Sequence, residues 1–187
     1  TTGFRETFGG LHLKYGVNPD MMILGNALGY GYAITAIHGK KKIMEAAQSS
    51  FISSTFWTER IGPTAGLKTL EIMEKTRSWE VITKIGKKIT HNWEKISKKH
   101  DIKIEISGIP ALSSFKFTSK KNLLYKTFIT QEMLKRGFLA SNCIYASIKH
   151  SSRILDNYFE IFDEIFKILS ECEKGKDIKK LLETEVC

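Results

Sequence analysis

The sequence predicts an α/β chain in which part of a larger α/β domain is followed by a small α+β C-terminal domain. Three observations carry this. Two nearly continuous apolar runs, Met21 to Leu24 and Ala33 to Ile37, flank a turn of small residues, as buried strands of a sheet covered on both faces do. Two stretches in the middle, 59–75 and 79–99, repeat apolar residues at three- and four-residue steps, the period of an amphipathic helix. After Asp101 the pattern switches: Ile102, Ile104 and Ile106 alternate with Lys103 and Glu105, the period of a half-buried strand.

Taken in order, Tyr15-Gly16-Val17-Asn18-Pro19-Asp20 reads as a turn, because proline fixes φ and Asn and Asp favour turns. Lys41 to Gln48 reads as a short helix and 49–58 as a polar, aromatic loop. Pro63 sits in the first turns of the 59–75 helix, where it is tolerated. In 79–99, Val81, Ile82, Ile85, Ile89, Trp93 and Ile96 form one face and lysines fill the other. His91 and His100 read as surface histidines of this basic region.

Gly108-Ile109-Pro110 then turns the chain into a second strand, Ala111 to Phe117. A helix over 123–136 closes on Gly137, a residue suited to the position after a helix end. Phe138 to Ala140 and Cys143 to Ala146 read as short strands. Ser151 or Ser152 caps a last helix that carries Leu155, Tyr158, Phe159, Phe162, Ile165, Phe166 and Leu169 and stops near Gly175. The domain boundaries follow: 1–76, a connecting helix over 77–101, and a small domain over 102–187.

The totals limit the function classes. With 187 residues, 42% hydrophobic and 11% aromatic, the chain can bury a core and is not a disordered composition. No apolar run reaches the about 18 residues of a membrane span, and no leader is evident, so no membrane partner is expected. The abrupt start at Thr1, without Met, reads as the middle of a domain and the chain as a fragment. Cys143, Cys172 and Cys187 are odd in number and widely spaced, which predicts reduced thiols, a cytoplasmic location and no metal site. The net charge of +9 comes from lysine runs. Solvated helix faces explain these runs, and the alternative is a basic nucleic-acid-binding domain.

The turn Gly25-Asn26-Ala27-Leu28-Gly29-Tyr30-Gly31 is glycine-rich, but its spacing is not that of a dinucleotide loop or a P-loop, and strands flank it on both sides. The ordered set Thr2-Gly3-Phe4-Arg5, Tyr15 to Asp20, Leu24 to Tyr32, Gly39 to Met44, Ser53 to Met73 and Asn142 to Phe159 resembles the class III pyridoxal-phosphate aminotransferases. It is especially similar to glutamate-1-semialdehyde 2,1-aminomutase and its aminotransferase relatives, over their carboxy-terminal half. The resemblance implies a fold-type I protein, in which 1–76 is part of the cofactor-binding large domain. It also implies pyridoxal 5'-phosphate as cofactor and a small amino compound as substrate. The partner it implies is a second copy of the chain, as a homodimer, or a full-length aminotransferase subunit.

In that family a lysine amine forms an imine with the cofactor aldehyde and shuttles the substrate proton. The lysine stands in a Leu-Gly-Lys motif. Here the motif reads Leu24-Gly25-Asn26, so Asn26 occupies the lysine position. A carboxamide forms no imine and is no base. The resemblance therefore predicts that this chain, as written, lacks transaminase activity. Lys14 and Lys40 to Lys42 lie near in sequence but not on the turn. Thr55 matches the family's phosphate-binding threonine, and Ser54 beside it is a second candidate ligand. An ordinary loop hydroxyl is the competing reading of Thr55. Phe56 and Trp57 fit a substrate mouth or a core, and Arg5 and Arg60 fit a substrate carboxylate, an acidic partner or surface ion pairs.

The family's Asp-Glu pair, which holds the pyridine nitrogen, precedes the Thr2-Gly3-Phe4-Arg5 motif and is not among these residues. The segment Ser50 to Arg60 also departs from the aminomutase form Gly-Thr-Leu-Ser-Gly-Asn-Pro, which favours an aminotransferase relative. A different class of reading is a non-catalytic relative that binds an active subunit, where Thr55 would complete the partner's site. Without the first half of the large domain, sheet edges and apolar faces would be exposed, and the isolated chain is expected to aggregate or to be partly unfolded.

Overall fold

The structure, a computed structural model, describes residues 2, 3 and 5–186. Phe4 of the first motif and Cys187 lie outside the described residues. The chain divides into two compact units, Thr1–Ile82 and Thr83–Cys187.

The first unit is built on two strands. β1 (Met21–Leu24) pairs antiparallel with β2 (Ala36–Gly39), Met21 opposite Gly39 and Leu24 opposite Ala36. A short α1 (Lys41–Met44) follows, then a 3-10 turn (Glu45–Ser49), a loop, and α2 (Ile61–Thr76). Two expectations are corrected here. The strands are not covered on both faces: Met21, Ile23 and Ile37 are 48%, 67% and 53% exposed. A two-stranded ribbon can bury only the side that α2 packs on, and among the described residues no third strand joins it. The second strand also starts later than Ala33, because a further turn (Tyr32 N–H to Gly29 O, 3.1 Å) delays the extended backbone.

The packed side of this unit is small. Leu28 and Met73 are buried, with Leu24, Ile34, Ala36, Leu70 and Trp79 around them. Glycine makes the contact possible: a Cβ on Gly62 would sit 2.6 Å from the Ala33 carbonyl oxygen, so only glycine lets the start of α2 lie on that backbone.

The second unit carries the main core. α3 (Ser78–Lys99) supplies Ile89, Trp93 and Ile96. β3 (Ile104–Ile109) and β4 (Leu112–Phe117) form an antiparallel hairpin, Ile104 opposite Phe117, and β5 (Cys143–Tyr145) joins the other side of β4, giving the order β3-β4-β5. α4 (Asn122–Lys135) and α5 (Ser152–Glu173) complete it, with a 3-10 turn over Ile178–Leu181. α5 follows its sequence pattern, burying Leu155, Tyr158, Phe159, Phe162, Ile165, Phe166 and Leu169. At about 1.5–3 kcal/mol per buried apolar side chain, this stripe is a large favourable term for the unit. Phe115, Phe117, Phe162 and Phe166 interlock, Phe115 meeting Phe162 edge-on at 5.7 Å. Trp93 Nε1 donates to the Tyr158 hydroxyl at 2.9 Å, so both buried polar tips are satisfied.

The ends of these helices obey their sequence signals. Ser151 Oγ accepts from Ile154 N–H and caps α5. Past α4, Gly137 adopts φ 84, and the N–H groups of Gly137 and Phe138 reach the carbonyls of Leu134 and Met133. Phe138 to Ala140 is not a strand, because that helix-closing loop uses the residues immediately after it. His100 is not a surface histidine either: its side chain is largely buried and its Nε2 lies 2.9 Å from Asp163 on α5, a partner remote in sequence.

Candidate functional site

The turn after β1 holds the first candidate residue. Leu28 N–H bonds to the Gly25 carbonyl at 2.9 Å, closing the turn, while the buried Ala27 and Leu28 anchor it below. Asn26 stands at the top, exposed, with φ 33. That left-handed backbone suits asparagine better than most side chains. Arg5 Nη2 donates to Asn26 Oδ1 at 3.3 Å. The chain's first motif and its glycine turn therefore meet, joining two residues that the sequence singled out for separate reasons.

Three lysines near the turn in sequence, Lys14, Lys40 and Lys41, have carboxylate partners. Lys14 pairs with Glu6, whose side chain is fully buried. Lys40 pairs with Asp20 at 2.7 Å, and that hydrogen bond, with the ammonium charge, holds the Asp20 carboxyl below its ordinary range. Lys41 lies 3.7 Å from Glu45. An amine engaged with a carboxylate is less available as a nucleophile, so these three lysines are poor substitutes for one on the turn.

The second candidate segment is the loop before α2. Phe56 N–H donates to Ser54 Oγ at 3.2 Å and Trp57 N–H to the Ser54 carbonyl at 3.3 Å, which presents Thr55 to solvent at the start of a turn. Phe56 and Trp57 are exposed, so they take no part in the core that this chain's own residues form. Glu59 was not singled out by sequence, yet its carboxylate accepts from the N–H groups of Ile61 and Gly62 and caps α2. The readable signal was an acid just before a helix start. Its consequence is chemical: the amides at that end of α2 already serve a carboxylate, so a phosphate near this loop depends on the hydroxyls of Thr55 and Ser54 and on turn amides. Arg60 lines a shallow depression of about 360 Å³ with Tyr32, Ile61, Thr64, Ala65 and Lys68, which brings it beside the end of the glycine turn.

Comparison with known proteins gives this arrangement a lineage. Residues 1–168 match the family model described as aminotransferase class-III. The chain belongs to the class III aminotransferases. The resemblance of its ordered motifs is thereby borne out. A 3-aminobutyryl-CoA aminotransferase of Cloacimonas acidaminovorans (strain Evry) is 34% identical over 131 residues, covering 70% of this chain and 32% of that protein. A glutamate-1-semialdehyde 2,1-aminomutase of Methanocaldococcus jannaschii is 27% identical over 183 residues, covering 89% of this chain and 43% of that protein.

Solved structures agree on the fold, which is that of fold-type I transaminases. The FumI protein of Sphingopyxis sp. MTA144, solved with PLP, superposes with a TM-score of 0.83 at 21% identity, covering 96% of this chain and 44% of that one. An S-selective transaminase from Arthrobacter sp. with alanine bound gives 0.78 at 21% identity, covering 92% and 44%. This class III chain thus spans less than half the length of the relatives it matches.

The residues present fit pyridoxal phosphate in part. The Thr55 and Ser54 hydroxyls can donate to a phosphate. The Asn26 carboxamide, which already accepts from Arg5, cannot form the covalent link.

Proposed function

We propose that this chain is the carboxy-terminal part of a pyridoxal-phosphate-dependent class III aminotransferase, and that its 187 residues do not transfer amino groups by themselves. The observation that carries the proposal is Asn26 at the position of the family's Schiff-base lysine, on an exposed turn and hydrogen-bonded to Arg5. In this reading 1–76 is part of the cofactor-binding large domain, 77–101 the connecting helix and 102–187 the small domain. Thr55, with Ser54, contributes to holding the phosphate, and Arg60 serves the carboxylate of a small amino substrate. The bound cofactor would supply an electron sink for the substrate carbanion. This chain's part is to bind and orient, because the Asn26 carboxamide is no base and cannot move the proton as a lysine amine does.

The departure of Ser50 to Arg60 from the aminomutase form supports intermolecular transfer over an internal shift. Cys143 and Cys172 form no disulfide among the described residues, which is in keeping with a cytoplasmic location. Among the described residues no helix is long and apolar enough to cross a membrane.

The test is direct. Purified chain is incubated with pyridoxal phosphate, an amine donor and a keto-acid acceptor, then treated with borohydride and mapped by mass spectrometry. No turnover above the cofactor-only control, and no lysine labelled in preference to the other exposed lysines, is the expected result. Turnover above that control, or a stoichiometric adduct confined to one lysine, would overturn the proposal.

A second reading has a specific observation behind it. Phe51, Phe56 and Trp57, neighbours of Thr55 in the chain, are exposed, an apolar surround suited to a protein partner. A non-catalytic relative would use it to bind an active aminotransferase subunit, and capture of a full-length aminotransferase discriminates the two. The nucleic-acid reading is weakened by how the lysines are spent, as with Lys88 on Asp156, Lys99 on Asp163 and Lys116 on Glu105. Steep salt-dependent DNA binding would restore it.

A further inference from the structure

The solvent face of α3 carries a basic row that none of the roles above uses. Lys84, Lys87, His91, Lys95 and Lys98 follow one another at three- and four-residue steps, so they share one face of the helix, opposite the buried Ile89, Trp93 and Ile96. All five are exposed, and among the described residues none of their side chains has a hydrogen bond or an ion pair. The neighbouring lysines differ: Lys88 is held by Asp156 and Lys99 by Asp163, both on α5. On the helical period these two lysines lie to one side of the row and Glu94 to the other. Between Asp156 and Asp163, on the same face of α5, stands Glu160, exposed and likewise unpaired. The row is therefore a line of positive charge about 21 Å long, at a rise of about 1.5 Å per residue, with carboxylates at both edges.

We propose that this row docks an acidic α-helix of a partner protein, one whose carboxylates recur at three- and four-residue steps. Three observations select that occupant. The basic side chains stand about 5 Å apart along the axis, the spacing of i, i+3 and i+4 positions on a facing helix, whereas alternate residues of an extended segment stand about 6.6 Å apart and fall out of step with the row. Across the face the charge runs negative, positive, negative. A phosphodiester strand or an anionic lipid surface is negative throughout and meets Glu94, Asp156, Glu160 and Asp163 with like charge; a helix can carry acids on its ridge and lysines or neutral residues on its flanks. No aromatic side chain of α3 is exposed, so a nucleic-acid strand finds no ring there to stack on. Each exposed ion pair alone contributes little, so the complex is salt-sensitive, and its selectivity lies in the pattern rather than in the net charge of +9.

The probe is a synthetic helical peptide with glutamates at the steps of the row and lysines on its flanks, set against a scrambled isomer of the same composition and helicity. Fluorescence anisotropy of the labelled peptides measures binding to the soluble chain at low salt. The expected result is that the patterned peptide binds about tenfold or more tighter than its isomer, and that binding is lost by about 0.5 M salt. Lys87→Glu with Lys95→Glu removes that preference, and a peptide with lysines at the facing positions restores binding to this variant. Lys120→Glu with Lys180→Glu makes the same change in net charge at exposed, unpaired sites off α3 and retains the preference. All four lysines are exposed, so circular dichroism should show unchanged helix content in both variants. The proposal is overturned by no binding, by equal binding of the isomer, or by tighter binding to a single-stranded oligonucleotide or to vesicles of anionic lipid. It is also overturned if the preference survives Lys87→Glu with Lys95→Glu or is lost in the control off α3. The readout uses no cofactor, so its failure is separate from that of the proposed inactivity, which is read by turnover and by an adduct confined to one lysine.

Discussion

Arg5 and Asn26 are joined by a 3.3 Å hydrogen bond from guanidinium to carboxamide, on the glycine turn that follows β1. The pair is chemically consistent in this chain: a carboxamide oxygen accepts from a cation, where an ammonium would repel it. Asparagine is also at home in the φ 33 backbone of the turn.

Asn26→Lys should therefore cost stability while restoring a nucleophile. Loss of the exposed bond and the left-handed backbone together predict a destabilisation of about 1–2 kcal/mol. Urea midpoints of the two proteins measure it. An unchanged or higher midpoint would show that the Arg5 contact and the turn geometry do not constrain this position.

Glu59 holds the start of α2, so Glu59→Ala should destabilise by about 1 kcal/mol, the ordinary worth of a helix cap. Faster amide exchange at Ile61 and Gly62 should accompany it. Exchange unchanged at these two amides would remove Glu59 from that role.

In the second unit, Tyr158→Phe leaves the Trp93 N–H buried and unpaired, a loss of about 1–3 kcal/mol. Trp93→Phe removes that donor but leaves a cavity, so it should also cost stability. A Tyr158→Phe protein with wild-type stability would mean that water or a rotated ring replaces the bond.

Acid should loosen the same unit. Burial raises the Asp163 pKa, but hydrogen bonds from Lys99 and His100, with their charges, outweigh it, and the folded value lies below the ordinary one. Glu173 is held low by hydrogen bonds from Tyr125 and Ser119. A depressed folded pKa contributes stability that is present above the unfolded value, about 4 for a carboxyl, and is lost as pH falls through the folded value. Stability measured against pH should fall below about pH 4, and Asp163→Asn should flatten part of that fall. A pH profile identical to wild type in that variant would rule out Asp163 as a contributor.

The exposed faces of the first unit predict how the purified chain behaves. Met21, Ile23 and Ile37 on the ribbon, with Phe51 and Leu67, leave apolar surface uncovered. The isolated chain should aggregate or melt with strong concentration dependence, and Ile23→Thr with Ile37→Thr should improve its solubility. A single cooperative, concentration-independent transition in the unaltered chain would contradict this.

Much of the second unit was legible in the sequence. α5 shows its stripe from Leu155 to Leu169 and its Ser151 cap, β3 shows its alternation, and α4 shows its closing Gly137, because each signal is local and each element packs one face inward. The strand read at Phe138 to Ala140 failed because three apolar residues after a helix carry no period. His100 was misread because its partner, Asp163, lies on another helix.

The sequence by itself determined the family, through the order and spacing of its motifs, and put Asn26 on the glycine turn, since Leu24-Gly25-Asn26 is read directly from the chain. Only the tertiary structure decided what Asn26 bonds to, that Lys14, Lys40 and Lys41 have carboxylate partners, and that Glu59 occupies the amides of α2. These depend on contacts between residues remote in sequence. No local pattern encodes such contacts, because burial and partner choice are set by which faces meet when the chain packs.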